Sequence, residues 1–193
     1  MSTRAAHVGD AGTEPDAAAA ATVVVAVGSI LLALRPLSDV TADTRLVLFG
    51  ATYLTIGLAS IAVPGGRDRP RLSPVIALAF GAAAAIATAR VAGTSAPSPW
   101  SAAALPLSLL AAVAEEALFR RVAYARLERL GALAGIAGSA LLFGLVHVPA
   151  YGLAALPVDL GAGLLFGWQR WASGTWTVPA ATHALANGIV VLR

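Results

Sequence analysis

The sequence predicts an all-α fold, a polytopic transmembrane bundle of about seven helices within a range of six to eight. Three observations predict it. Of 193 residues, 58% are hydrophobic and only 12% charged, where a soluble domain carries about a quarter charged residues. The apolar residues gather into stretches close to the roughly 20 needed to cross a hydrocarbon core. The thirteen basic residues, all Arg, lie mostly in or beside the short segments between those stretches, where topology signals lie.

Residues 1–16 mix Arg4, Asp10, Glu14 and Asp16 with small residues and read as a disordered tail. The apolar stretch that follows is too long for a signal-peptide core and has an acidic flank, so it reads as the first span, 17–34. Further spans are expected at 46–63, 74–92, 103–129, 132–150, 153–171 and 176–192. Turn chemistry separates the first four: Arg35-Pro36-Leu37-Ser38-Asp39, then Pro64 to Pro70, then Thr94 to Pro99. An N-terminus inside places nine arginines on inner segments (4, 67, 69, 71, 120, 121, 126, 129 and 170) and four on outer ones (35, 45, 90 and 193). The positive-inside rule favours that orientation. Trp100, Trp168, Trp171 and Trp176 fall near span ends as interfacial anchors. No internal repeat supports a transporter of inverted repeats.

Composition also excludes classes of function. Without cysteine there is no disulfide framework, no thiolate metal site and no cysteine nucleophile. The basic balance does not imply nucleic acid, because the arginines are spread over short loops. An arginine-only basic set in an Ala- and Gly-rich chain suggests a high-GC bacterial genome, and hence the bacterial cytoplasmic membrane with a cytosolic N-terminus.

Glu115, Glu116 and Asp159 are the charges that fall inside spans away from these loops. Each such residue costs about 2.5–3.5 kcal/mol near the bilayer centre, so an adjacent carboxylate pair needs a reason. Interfacial snorkelling is the plain alternative. Asp159, two residues after Pro157, reads as lying near a helix end and is given no role. Three spacings stand out. Glu116 and Arg120 are four apart and can pair on one helix face. Phe143 stands one turn before His147. His183 stands one turn before Asn187. A lone histidine in an apolar helix is most often a packing residue, but two such motifs after a carboxylate pair, in a chain with three histidines, form a constellation.

Helix geometry sets a condition for their meeting. In a hairpin turning at Gly131, Glu115 and His147 are each about 24 Å from the turn, whereas His183 is about 13 Å from Gly174. The three converge only where the Arg-rich hairpin tip at Gly131 projects about 10 Å into the cytosol.

At these residues the chain resembles the CPBP family of intramembrane proteases, also called Abi, which contains the type II CAAX prenyl endopeptidases and bacteriocin-processing and immunity proteins. The family's EExxxR, FxxxH and HxxxN patterns correspond here to Glu115-Glu116 with Arg120, Phe143 with His147, and His183 with Asn187. The resemblance covers about 100–193, a CPBP/Abi-like catalytic core; the helices of 17–99 carry no motif. A Gly commonly follows the motif arginine in the family, and Arg121 here puts the local turn in question.

The resemblance implies an endopeptidase in which both glutamates matter. Glu115 is the expected base, Glu116 the partner of Arg120. His147 positions water or binds a metal, His183 and Asn187 offer donors to the tetrahedral oxygen, and Phe143 restrains the His147 ring. Glu115, His147 and His183 also form an acceptable zinc set; a metal-free route, with Glu115 and His147 activating water directly, uses the same residues. The expected partners are a peptide or membrane-protein substrate and the lipid bilayer, not nucleic acid. The competing expectation is a non-proteolytic membrane protein, an immunity factor, scaffold or proton path, in which the same residues form an interhelical polar network.

Overall fold

The computed structural model describes residues 13–35, 41–66, 68–91 and 103–192, and every regular element among them is helical. The helices are α1 (Thr13–Leu34), α2 (Ala42–Ala62) and α3 (Pro74–Val91). Next, α4 (Ala104–Glu116) runs unbroken through a π-helical turn (Ala117–Ala123) into α5 (Tyr124–Leu127) and a 3-10 turn (Glu128–Leu130). Then come α6 (Ala132–Tyr151), a short 3-10 turn (Leu153–Ala155), α7 (Leu156–Ser173) and α8 (Thr177–Val191). With α4 and α5 counted as one rod, seven rods correspond to the seven expected spans. One boundary is corrected: α1 begins at Thr13, inside the stretch expected as a tail. Residues 1–12, the Pro36–Asp39 and Thr94–Pro99 turns, Trp100, and Arg4, Arg67 and Arg193 lie outside the described residues.

Among the described residues, three helices are long and apolar enough to cross a membrane, Asp16–Leu34, Asp43–Ala62 and Ala132–Tyr151, and Pro74–Arg90 and Thr177–Val191 are shorter apolar helices. Side-chain placement follows the same logic. Val47, Val75 and Leu133 are more than 70% exposed, whereas Glu116, Arg120, Gln169 and Arg170 are fully buried. A water-soluble bundle sorts its residues the other way; a membrane protein turns apolar side chains to lipid and its charges to the bundle interior.

The α4–α5 rod runs through the middle, in contact with α1, α2, α6 and α8. Its residues Ala114 to Arg120 are all buried. Small residues let the remaining helices close in. A Cβ on Gly163 would come within 2.9 Å of the Ala140 backbone, and one on Gly167 within 3.1 Å of Ile136. These two glycines, four apart, bring α7 onto α6 as small-residue stripes do in membranes. Gly81 does the same for α3, where a Cβ would meet the side chains of Gln169 and Thr182. There Gln169 Nε2 donates to Ala77 O and to Thr182 Oγ1, both at 2.8 Å, joining α3, α7 and α8.

At the Gly131 end, the α2–α3 loop is sewn to the end of α7. Arg71 N and Leu72 N donate to Ala172 O, and Asp68 N donates to Gly174 O. Gly174 ends α7 with φ 70°, and a Cβ there would lie 2.3 Å from Asp68 O, so only glycine suits both the turn and the contact. Arg170 is the hub. It donates to Asp68 Oδ2 (2.8 Å), Gly66 O (2.9 Å) and Arg120 O (3.1 Å).

That last bond ties α7 to the central rod. Arg120 precedes Gly131 by eleven residues and Arg170 precedes Gly174 by four. At about 1.5 Å per residue, residues paired at one height leave the first hairpin about 10 Å longer beyond them than the second.

Candidate active site

The two glutamates end α4 at the entrance to the π-turn and point to different partners. Glu116 is fully buried and faces Arg120 and His183. Its Oε2 is 3.3 Å from Arg120 Nε, and its Oε1 accepts from His183 Nδ1 at 3.0 Å. Glu115 faces α1 and α6. Its Oε1 accepts from Arg35 Nη1 at 3.2 Å, and its Oε2 lies 3.7 Å from His147 Nε2. A π-turn is frequent at functional sites because its extra residue re-aims side chains. Here it carries Arg120 inward and Arg121 outward to the end of α2, where Arg121 donates to Ser60 O and, at 2.6 Å, to Val63 O. Arg121 thus has its own task, covering the last carbonyls of α2.

Arg120 is held by protein groups on several helices. Its Nη2 donates to Gly163 O at 2.9 Å. Its guanidinium carbon lies 4.8 Å from the Phe143 ring centre and 5.4 Å from that of Phe166. Aromatic faces attract a desolvated cation by about 2 kcal/mol, which offsets the absence of a hydrogen-bond partner at Nη1.

Phe143 is the hub of the site. Its ring centre is 4.6 Å from that of His147 and 5.7 Å from that of His183. His147 is further held by Tyr151, stacked at 5.7 Å with an interplanar angle of 11°, and His183 by Phe166 at 5.0 Å. Phe143, His147 and Tyr151 follow at four-residue steps, so one face of α6 carries the whole stack.

Hydrogen bonds then select the ring protons. His147 Nδ1 lies 2.7 Å from Phe143 O. A carbonyl only accepts, so Nδ1 carries the hydrogen, and in the neutral ring Nε2 presents a lone pair to Glu115. His183 is oriented likewise, its Nδ1 on Glu116. Fixing the distal nitrogen in this way is how proteins aim an imidazole. Asn187, on α8, donates from Nδ2 to Ser108 O of α4 at 3.1 Å.

A metal reading meets this arrangement only in part. Glu115 and His147 offer two facing donors, but no group of three or more His, Cys, Asp or Glu is placed to hold a metal ion among the described residues. A zinc centre takes at least three protein ligands. His183, the third ligand expected from the sequence, has its Nδ1 on Glu116 in this arrangement.

Three residues of the site have no motif to announce them. Arg35 closes α1 and reaches Glu115 across 80 positions of sequence. Tyr53, from α2, hydrogen-bonds the same guanidinium through its hydroxyl. Asp159, in the first turn of α7, is near enough to His147, Glu115 and His183 for their charges to act on it, and its buried Oδ2 has no hydrogen-bond partner among the described residues. A charge in the first turn of a helix is compatible with the dipole alone, so no local signal marks its proximity to the histidines.

The fold and this centre define a helical membrane protein whose buried carboxylates and histidines, drawn from separate helices, meet in the bundle interior. Comparison with known families agrees. Residues 96–189 match the model of the type II CAAX prenyl endopeptidase Rce1-like family. This C-terminal region, just under half of the chain, supplies Glu115, Glu116, His147 and His183 and is similar to that family of proteases. No curated protein and no solved structure matches the chain.

Proposed function

We propose that the protein is an intramembrane endopeptidase that hydrolyses peptide bonds with a water activated by Glu115 and His147. The observation that carries the reading is the facing of Glu115 Oε2 and His147 Nε2 at 3.7 Å. Two acceptors at this distance repel each other unless a hydrogen lies between them, and one water can touch both at ordinary hydrogen-bond lengths.

The chemistry follows from the atoms. Glu115 Oε2 takes a proton from the water as its oxygen bonds to the scissile carbonyl carbon. The carbonyl oxygen takes up the electron pair. It is met by the second N–H of Asn187 and by His183 Nε2 when that ring carries both protons, with Glu116 as its counter-ion. The C–N bond then breaks, the leaving nitrogen receives the proton from Glu115, and a carboxylic acid and an amine depart. Arg120 pairs with Glu116 and holds it in place. Zinc on Glu115, His147 and His183 is the alternative source of an activated water; loss of cleavage on chelation with return on added zinc would support it.

The substrate reading is a peptide or a membrane-protein segment in the lipid bilayer, not a nucleic acid. Cleavage takes place in a bacterial cytoplasmic membrane, with the N-terminus and the Gly131 end on the cytosolic side. The Arg-only basic set and the nine-to-four distribution of arginines support this placement.

A second reading, a proton path or scaffold, draws on the pairing of both glutamates with cations. Proteoliposomes separate the two when internally quenched peptides and a lumenal pH dye are followed together. We expect peptide cleavage that disappears in Glu115→Ala and His147→Ala, with no proton flux. Proton flux without cleavage would support the second reading instead.

A further inference from the structure

We infer that Arg35, from the motif-free first helix, is a positioning residue of this site: it fixes the orientation of the Glu115 carboxylate so that one oxygen faces the water. The inference rests on the proposed peptidase activity and adds a component outside the matched region.

Glu115 has two oxygens with different partners. Oε1 is held by Arg35 Nη1 at 3.2 Å, which leaves Oε2 toward His147. The guanidinium is itself fixed. Its Nε donates to Leu32 O at 2.9 Å, Tyr53 hydrogen-bonds Nη1, and the Tyr53 ring lies 5.3 Å from the guanidinium carbon. Both side chains of the pair are under 10% exposed, so water does little to screen the pair. The two adjacent glutamates therefore each have an arginine. Arg120 serves Glu116 from one turn further along the same helix, and Arg35 serves Glu115 from the other end of the chain.

A carboxylate without this anchor turns about its last torsion, and neither oxygen is then held toward His147. A base must hold its oxygen against the reacting water, and misplacement by about 1 Å costs about 100-fold in rate. Arg35 touches Glu115 rather than the water, so its loss should reduce kcat and leave KM within about twofold.

The test is a double-mutant cycle on full-length protein in proteoliposomes. The probe is a set of internally quenched peptides, prenylated and unmodified, and folding is checked by thermal unfolding. Arg35→Met is expected to lower kcat about 100-fold with KM unchanged, Arg35→Lys to recover part of it, and Arg35→Met to have no further effect on Glu115→Gln. An Arg35→Met protein as active as the wild type, beside an inactive Glu115→Gln, overturns the role of Arg35 and leaves the peptidase reading standing. Equal activity in Glu115→Gln and the wild type overturns both. Should Arg35→Met fail to fold, the Arg35→Lys and Tyr53→Phe proteins carry the test. A lowered kcat at unchanged KM then supports the role, and wild-type kcat in both overturns it.

Discussion

Arg120 shows how far single residues could be read. Its pairing with Glu116 follows from four-residue spacing in a helix, and Phe143, His147 and His183 are legible for a similar reason. Polar groups in apolar helices need partners, and few are available. Arg35 was not legible. Its partner lies 80 residues away, and in a count of loop charges it serves equally well as a topology signal. The buried Glu116–Arg120 pair yields a stability prediction. Removing one member of such a pair costs about 3–5 kcal/mol because a charge is left uncompensated. Arg120→Met is expected to destabilise the protein by about this amount in denaturant unfolding in detergent. Arg120→Lys should restore little, since an ammonium cannot bond Gly163 O and lie against the Phe143 and Phe166 rings together. A loss under about 1 kcal/mol for Arg120→Met would show that the pair is not a structural necessity.

At the scale of elements, the spans were legible because length and apolarity are strong signals in a membrane chain. The π-turn was not. Ala117-Leu118-Phe119 reads as ordinary helix, and what accompanies the wider turn is tertiary: Arg120 reaches Gly163 on α7 while Arg121 reaches the end of α2. The glycine contacts were hidden for the same reason, since sequence does not say which glycine meets a backbone. Two glycines of α7 make this testable. A Cβ at Gly163 would press on Ala140 at 2.9 Å, whereas nothing lies within 4 Å of one at Gly161. Gly163→Ala should lower the unfolding midpoint by several degrees, and Gly161→Ala should leave it unchanged or raised, because alanine is the better helix former by about 1 kcal/mol. Equal effects would mean that α7 does not pack on α6 through this stripe.

For the whole molecule, the decisive feature is that the first hairpin runs about 10 Å longer beyond the paired residues than the second. It was legible in the unequal distances of Glu115 and His183 from their turns. What enforces it was not legible: Arg170, bonded at once to Asp68, Gly66 and Arg120, locks the α2–α3 loop, the end of α7 and the central rod in one register. The helices of 17–99 carry no motif, yet they supply Arg35 and Tyr53, so the centre is a property of the full bundle rather than of the matched region. All of this geometry converges on one oxygen, Glu115 Oε2, facing His147. The most direct measurement is single-turnover cleavage of an internally quenched peptide by Glu115→Gln protein in proteoliposomes. Glutamine keeps the shape and loses the base. General-base catalysis contributes about 10²–10⁴-fold, so the rate should fall by at least about 100-fold while peptide binding persists. Cleavage within twofold of the wild-type rate would contradict the assignment of Glu115 as the base.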